Sequence, residues 1–141
     1  MAEVVAQAQI QSGFVVGAEQ RGWEVISVTS GGDAQKQIND INDFITQNVA
    51  AIVAVPDDSA GICVAVAAAK EAGIPFYTID RAPSGCKIDM VVLSDNYLGG
   101  KQAGEAMVAH LTAKNGAPQG TVLEITGNLA QNVAQLRGAG F

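Results

Sequence analysis

Residues 50–81 read AAIVAVPDDSAGICVAVAAAKEAGIPFYTIDR, and this stretch decides the fold. Its opening, Ala50 to Val55, is an unbroken apolar run, as expected for a strand covered on both faces. Pro56-Asp57-Asp58-Ser59 ends the run and starts a helix that continues through Ala72 and closes at Gly73. Ile74 to Ile79, IPFYTI, is the next strand, with Pro75 tolerated only near its beginning. Continuous apolar strands alternating with helices mean a mostly parallel sheet in a doubly wound α/β fold, a single flavodoxin-like lobe.

The same alternation extends in both directions. Upstream, Glu3 to Gln20 carry apolar groups at helical spacing (Val4, Ala8, Val15, Ala18), and Gly22 is a natural C-cap before Trp23. Glu24 to Thr29, EVISVT, is short and β-branched, which predicts a strand. Ser30-Gly31-Gly32 breaks it. Asp33 then caps a helix to about Gln47, with Ile38, Ile41, Phe44 and Ile45 on one face. Downstream, Met90 to Ser94 predicts a strand and Asp95-Asn96 caps a helix reaching about Lys114. Residues 115–120, NGAPQG, form a linker. Thr121 to Thr126, TVLEIT, predicts another strand, and the chain is helical from Asn128 to its Gly-rich end.

Composition narrows the function. Apolar residues make up 48% of the 141, and charged residues 16%, which excludes a disordered polyelectrolyte. The net charge of -6 argues against nucleic acid, because phosphate binding needs clustered Lys and Arg. No segment has the ~18 uninterrupted apolar residues of a membrane helix. The opening residues lack a basic region and an unbroken apolar region, so no signal peptide is expected within the chain. Cys63 and Cys86 have no metal-site spacing. Cys63 in an Ala/Val-rich helix reads as a buried free thiol, and a disulfide with Cys86 is the less favoured alternative.

In open α/β sheets, ligands bind beyond the carboxyl ends of the strands. The positions that follow strands here are Ser30, Asp57, Asp80, Arg81, Ser94, Asp95 and Asn128. Asp80 and Arg81 stand out: a carboxylate accepts hydrogen bonds from vicinal hydroxyls while a guanidinium donates in a planar fork. That pair suits a polyhydroxylated ligand, and a surface ion pair explains the spacing equally well. Arg137, near the end of the last helix, reads on its own as a cation complementing the helix dipole. Ser84-x-x-Lys87 with Ser94-Asp95-Asn96 matches fragments of serine β-lactamase signatures, but the two are ten residues apart and no Lys-Thr-Gly follows. Gly99-Gly100-Lys101 lacks the rest of a phosphate loop, and His110 has no neighbouring ligand for a metal. No catalysis, cofactor or metal is expected.

Five stretches carry a family resemblance: GAEQRGWEV (17–25), GGDAQKQINDINDFITQNVAAIVAVPDDSA (31–60), AAKEAGIPFYTIDR (68–81), VVLSDNYLGGKQAGEAM (91–107) and TVLEITGN with RGAGF (121–141). In order and spacing the chain resembles the ribose-, allose- and galactose-type periplasmic sugar-binding proteins, relatives of LacI-type repressor ligand domains. The resemblance implies a hinged two-lobe receptor that delivers a monosaccharide to a membrane ABC permease. It implies that Asp80 and Arg81 bind sugar hydroxyls, that Arg137 reaches the ligand from the second lobe, and that Ser94 and Asn128 fall on contact or hinge positions. Residues 1–94 resemble lobe one without its first strand. Residues 95–141 resemble the opening helix-strand-helix of lobe two, packed into the same domain. With the enclosing aromatics absent and Val55 where ribose binders often have a polar residue, sugar binding is expected to be weak or lost. Strand 121–126 is expected to fill a central slot between strands 24–29 and 50–55, within the chain or from a partner in a strand-swapped homodimer. Competing readings are a repressor's effector domain, which needs a helix-turn-helix, a flavodoxin-like or Rossmann enzyme, and a designed or self-associating fragment without ligand function.

Overall fold

The computed structural model describes residues 2–141, residues 2–4 by backbone alone; the side chain of Val4, one expected apolar position of the first helix, lies outside the described residues. The elements run α1 (Ala2–Glu19), α2 (Ala34–Thr46), β1 (Ile52–Ala54), α3 (Cys63–Glu71), β2 (Phe76–Ile79), β3 (Met90–Val92), α4 (Asn96–Asn115) and α5 (Asn132–Gly140). The sheet is parallel, in the order β1-β2-β3, with Ile52 opposite Phe76 and Thr78 opposite Val91. The fold is α/β with a parallel sheet, as the apolar strands require.

The core lies where α2 and α3 meet one face of β1 and β2. Ile41 from α2, Ala65, Val66 and Ala69 from α3, and Ile52 and Phe76 from the strands are buried together with Ile62 and Ile74. Helix α2 begins where expected because the Asp33 carboxylate accepts the N–H groups of Gln35 and Lys36. Its apolar face is Ile38, Ile41, Phe44 and Ile45, all in or against the core. Helix α3 starts later than expected. The Asp58 carboxylate accepts the N–H groups of Ala60 and Gly61, so the chain makes a side-chain-closed turn before the helix.

Three expectations are corrected. Residues 24–29 and 121–126 are not strands, because neither has a ladder partner among the described residues and β-propensity without pairing makes no strand. Strand 121–126 therefore does not fill a slot beside 50–55 within the chain: Leu123 and Ile125 are 83% and 88% exposed. Cys63 and Cys86 are not free thiols but a disulfide, with Cα atoms 5.6 Å apart. The Ser84 N–H donates to the Ser59 carbonyl, folding the loop after β2 across the start of α3 and bringing Cys86 to its first residue.

Helices α4 and α5 cross almost backbone to backbone. A Cβ on Gly100 would lie 2.0 Å from the Arg137 carbonyl oxygen, and one on Gly140 would lie 2.1 Å from that of Tyr97. Glycine is what permits the crossing.

Candidate functional site

The parallel pairing of β1 and β2 sends both following loops to the same edge of the sheet. From the first come Pro56 and Asp57, from the second Asp80 and Arg81. The Arg81 side chain is buried and forms the centre of the cluster. Its Nη1 donates to the Pro56 carbonyl at 3.1 Å and lies 3.7 Å from the Asp57 carboxylate, while Nε lies 3.5 Å from Asp80 Oδ2. The buried guanidinium thus keeps two carboxylates and one carbonyl within reach, which compensates its desolvation.

The two carboxylates differ in surroundings. Asp57 is buried and accepts a hydrogen bond from the Ser30 hydroxyl. Its own N–H donates to Gln37 Oε1 at 3.0 Å, and Gln37 Nε2 donates to the Val55 carbonyl at 2.8 Å, so α2 fixes the end of β1. Asp80 keeps 41% of its side chain exposed and sits at φ +68°, a left-handed conformation uncommon outside glycine. That turn carries the carboxylate out of the strand line. A fixed cation below and a solvent-facing acceptor above make a surface suited to hydroxyl groups.

Of the remaining sequence-derived positions, all but Asn128 fall in a second group. Arg137 on α5 donates from Nε to Asn96 Oδ1 at 2.8 Å, and the buried Asn96 donates from Nδ2 to the Ser94 carbonyl at 3.0 Å. Asp95 caps α4 by accepting the Leu98 N–H. Asn128 is exposed and closes its own turn, its Oδ1 accepting from Ala130 N at 3.0 Å. Asp80, Arg81 and Asp57 are therefore together, Arg137, Asn96 and Ser94 are together, and Asn128 belongs to neither group. The link between the groups is Asn132 with Ser59, which sequence reasoning missed. Asn132 opens a helix among other polar residues, and Gln37 sits in the first turn of α2; neither carries a local signal of a long-range partner.

A parallel α/β sheet with charged and polar side chains gathered beyond its strand ends defines a ligand-binding lobe of the doubly wound class. Residues 6–141 match the family model described as periplasmic binding protein domain, and the chain belongs to that family. It is 36% identical, over 94% of its length, to the ribose import binding protein of Bacillus subtilis, of which it covers 42%. Among solved structures, it is similar to an ABC transporter solute-binding protein from Mycobacterium smegmatis with bound glycerol (34% identity, 89% of this chain and 42% of that one, TM-score 0.78). It is likewise similar to a galactofuranose-binding protein (29% identity, 88% of this chain and 42% of that one, TM-score 0.79). The chain thus spans about two fifths of the length of these relatives. They are solute-binding proteins, not enzymes. Among the described residues, no helix is long and apolar enough to cross a membrane.

Proposed function

We propose that the chain is the sugar-recognising part of a periplasmic solute-binding protein of an ABC-type uptake system, with a monosaccharide as ligand and a membrane permease as partner. The observation that carries this reading is the Asp57–Arg81–Asp80 cluster, in which a buried guanidinium underlies an exposed carboxylate at the strand ends. Asp80 accepts from sugar hydroxyls and Arg81 holds it in place. Arg137, anchored through Nε on Asn96, donates from the α5 side, and Ser94 and Asn128 are lesser contacts. Relatives named for ribose import and galactofuranose binding support a monosaccharide. The Cys63–Cys86 disulfide fits an oxidising compartment such as the periplasm. In this reading residues 1–94 belong to a first lobe and 95–141 open a second.

Affinity in this chain alone is low, because tight sugar binding needs enclosure on most sides. A dissociation constant of ~1 mM, about 4 kcal/mol of binding, is expected. Titration of the labelled chain with a panel of pentoses and hexoses tests this. The amides of Asp80 to Ala82 shift with at least one sugar, and the response disappears in Asp80→Asn. No response of these amides to any sugar overturns the reading.

Two chains also pair in this proposal, the 121–126 segment of each adding beside β1 of the other. A compact monomer of 14.4 kDa exposes about 6,800 Å². This chain exposes 9039 Å². The excess is of the order that one partner buries in an obligate dimer, about 1,000–2,500 Å².

A further inference from the structure

We propose that Asn132 is a positioning residue, a clamp that holds the helix carrying Arg137 against the loops that present Asp57, Asp80 and Arg81. Asn132 is the first residue of α5, where a backbone N–H has no intrahelical acceptor. Here that N–H donates to the Ser59 hydroxyl at 3.0 Å. The same hydroxyl donates back to Asn132 Oδ1 at 3.4 Å, closing a reciprocal pair between residues 73 apart in sequence. Asn132 Oδ1 also accepts the N–H of Ala82 at 3.2 Å, one residue beyond Arg81. One side-chain oxygen therefore joins the loop after β1, the loop after β2 and the start of α5.

The surroundings make the joint rigid. Ser59 is buried, its N–H donates to the Ala130 carbonyl at 3.0 Å, and its carbonyl accepts the Ser84 N–H. Arg137 follows Asn132 by five residues on the same helix, about 7.5 Å along its axis. With the clamp open, the loop after β2 loses its tie to α5 at Ala82 while Arg137 stays at the α4 crossing, so Asp80 and Arg81 change their distance from Arg137. The clamp needs an acceptor with two usable lone pairs at this position, and no donor from the amide takes part in it. Aspartate meets that need and is favourable in the first turn of a helix, whereas leucine, of similar size, does not.

The consequence for sugar rests on the proposed function; the geometry of the clamp does not, and the experiment separates them. Amide exchange in the full 141-residue chain is followed for wild type, Asn132→Asp and Asn132→Leu, with Thr78 in β2 as the internal reference. Ala82 exchanges slowly in wild type and Asn132→Asp, and at least tenfold faster in Asn132→Leu, with Thr78 unchanged. D-ribose titration of the same proteins then shows a fivefold or greater loss of affinity in Asn132→Leu and recovery in Asn132→Asp. Unchanged Ala82 exchange in Asn132→Leu, or failure of aspartate to restore it, overturns the clamp. Faster Ala82 exchange with unaltered ribose affinity overturns its positioning role. A wild type silent to ribose and to the other sugars counts against the proposed function alone, and Ala82 still decides the clamp. Should Asn132→Leu fail to fold, Ser59→Ala replaces it, and Ala82 and Asn132 exchange must both accelerate.

Discussion

Asp57 and Asp80 approach the same guanidinium, yet burial and backbone assign them opposite kinds of work. Asp57 is enclosed, so removing it leaves Arg81 with its nearest buried counter-charge gone. Asp57→Ala is expected to lower unfolding free energy in urea by about 3 kcal/mol, the usual cost of breaking a buried pair. Asp80 is exposed on one side and held at φ +68°. A non-glycine residue in that conformation carries a local cost of about 1–2 kcal/mol, which glycine relieves. Asp80→Gly is therefore expected to stay within about 1 kcal/mol of wild type, the relief offsetting the lost contact with Arg81 and the greater freedom of the unfolded chain. The sugar response of its neighbours vanishes all the same. Equal destabilisation by both substitutions would show that Asp80 is structural and not a ligand-facing acceptor.

Among the elements, the loop after β2 and the crossing of α4 with α5 hold the two polar groups in relation. The disulfide closes a loop of 23 residues separation and pins the 82–86 segment to α3. Reduction is expected to lower stability by about 3 kcal/mol through the freed loop entropy, read as a shift of the urea midpoint with and without reductant. At the helix crossing, Gly100→Ala places a methyl group against the Arg137 carbonyl, and backbone cannot give way as a flexible side chain can. A loss of about 1–3 kcal/mol and release of the Arg137–Asn96 hydrogen bond are expected, the latter visible at the Arg137 Nε–H resonance. The disulfide was legible only as the less favoured alternative to a free thiol, and the glycine crossing not at all. The α2 face and the apolar runs at 50–55 and 74–79 announced themselves because a repeating pattern records burial along one element. The disulfide, the glycine crossing and the Ser59–Asn132 pair depend on where distant segments meet, and no local period records that. Asp80 and Arg81 were readable as a pair because both follow one apolar strand. Asp57 was visible only as a strand-end position, since its role comes from the parallel register of β1 with β2.

Taken whole, the molecule has a well-packed centre and an unfinished perimeter. Ile41, Ile52, Val66 and Phe76 are as buried as a core demands, while Trp23, Leu123 and Ile125 are largely in water. The sheet has open edges at β1 and β3, and open edges seek strand partners. The expectation that 121–126 would complete the sheet rested on its β-branched and apolar residues, but within one chain the segment pairs with no strand among the described residues and lies outside the sheet. Between two chains that restriction does not apply. Ile52 directs its N–H to the Pro75 carbonyl, so the N–H of Val53 points to the open edge of β1, where an incoming strand would bond. Pairing of this kind makes stability depend on concentration by mass action. The thermal midpoint of the wild type is expected to rise as protein concentration is raised a hundredfold, with a dimer mass in solution. Leu123→Lys with Ile125→Lys, and separately Val53→Pro, should give a folded monomer whose midpoint ignores concentration, since a proline is tolerated where the N–H faces outward from an edge strand. A wild-type midpoint independent of concentration would mean that single chains tolerate their exposed apolar surface, and the paired form would have to be abandoned.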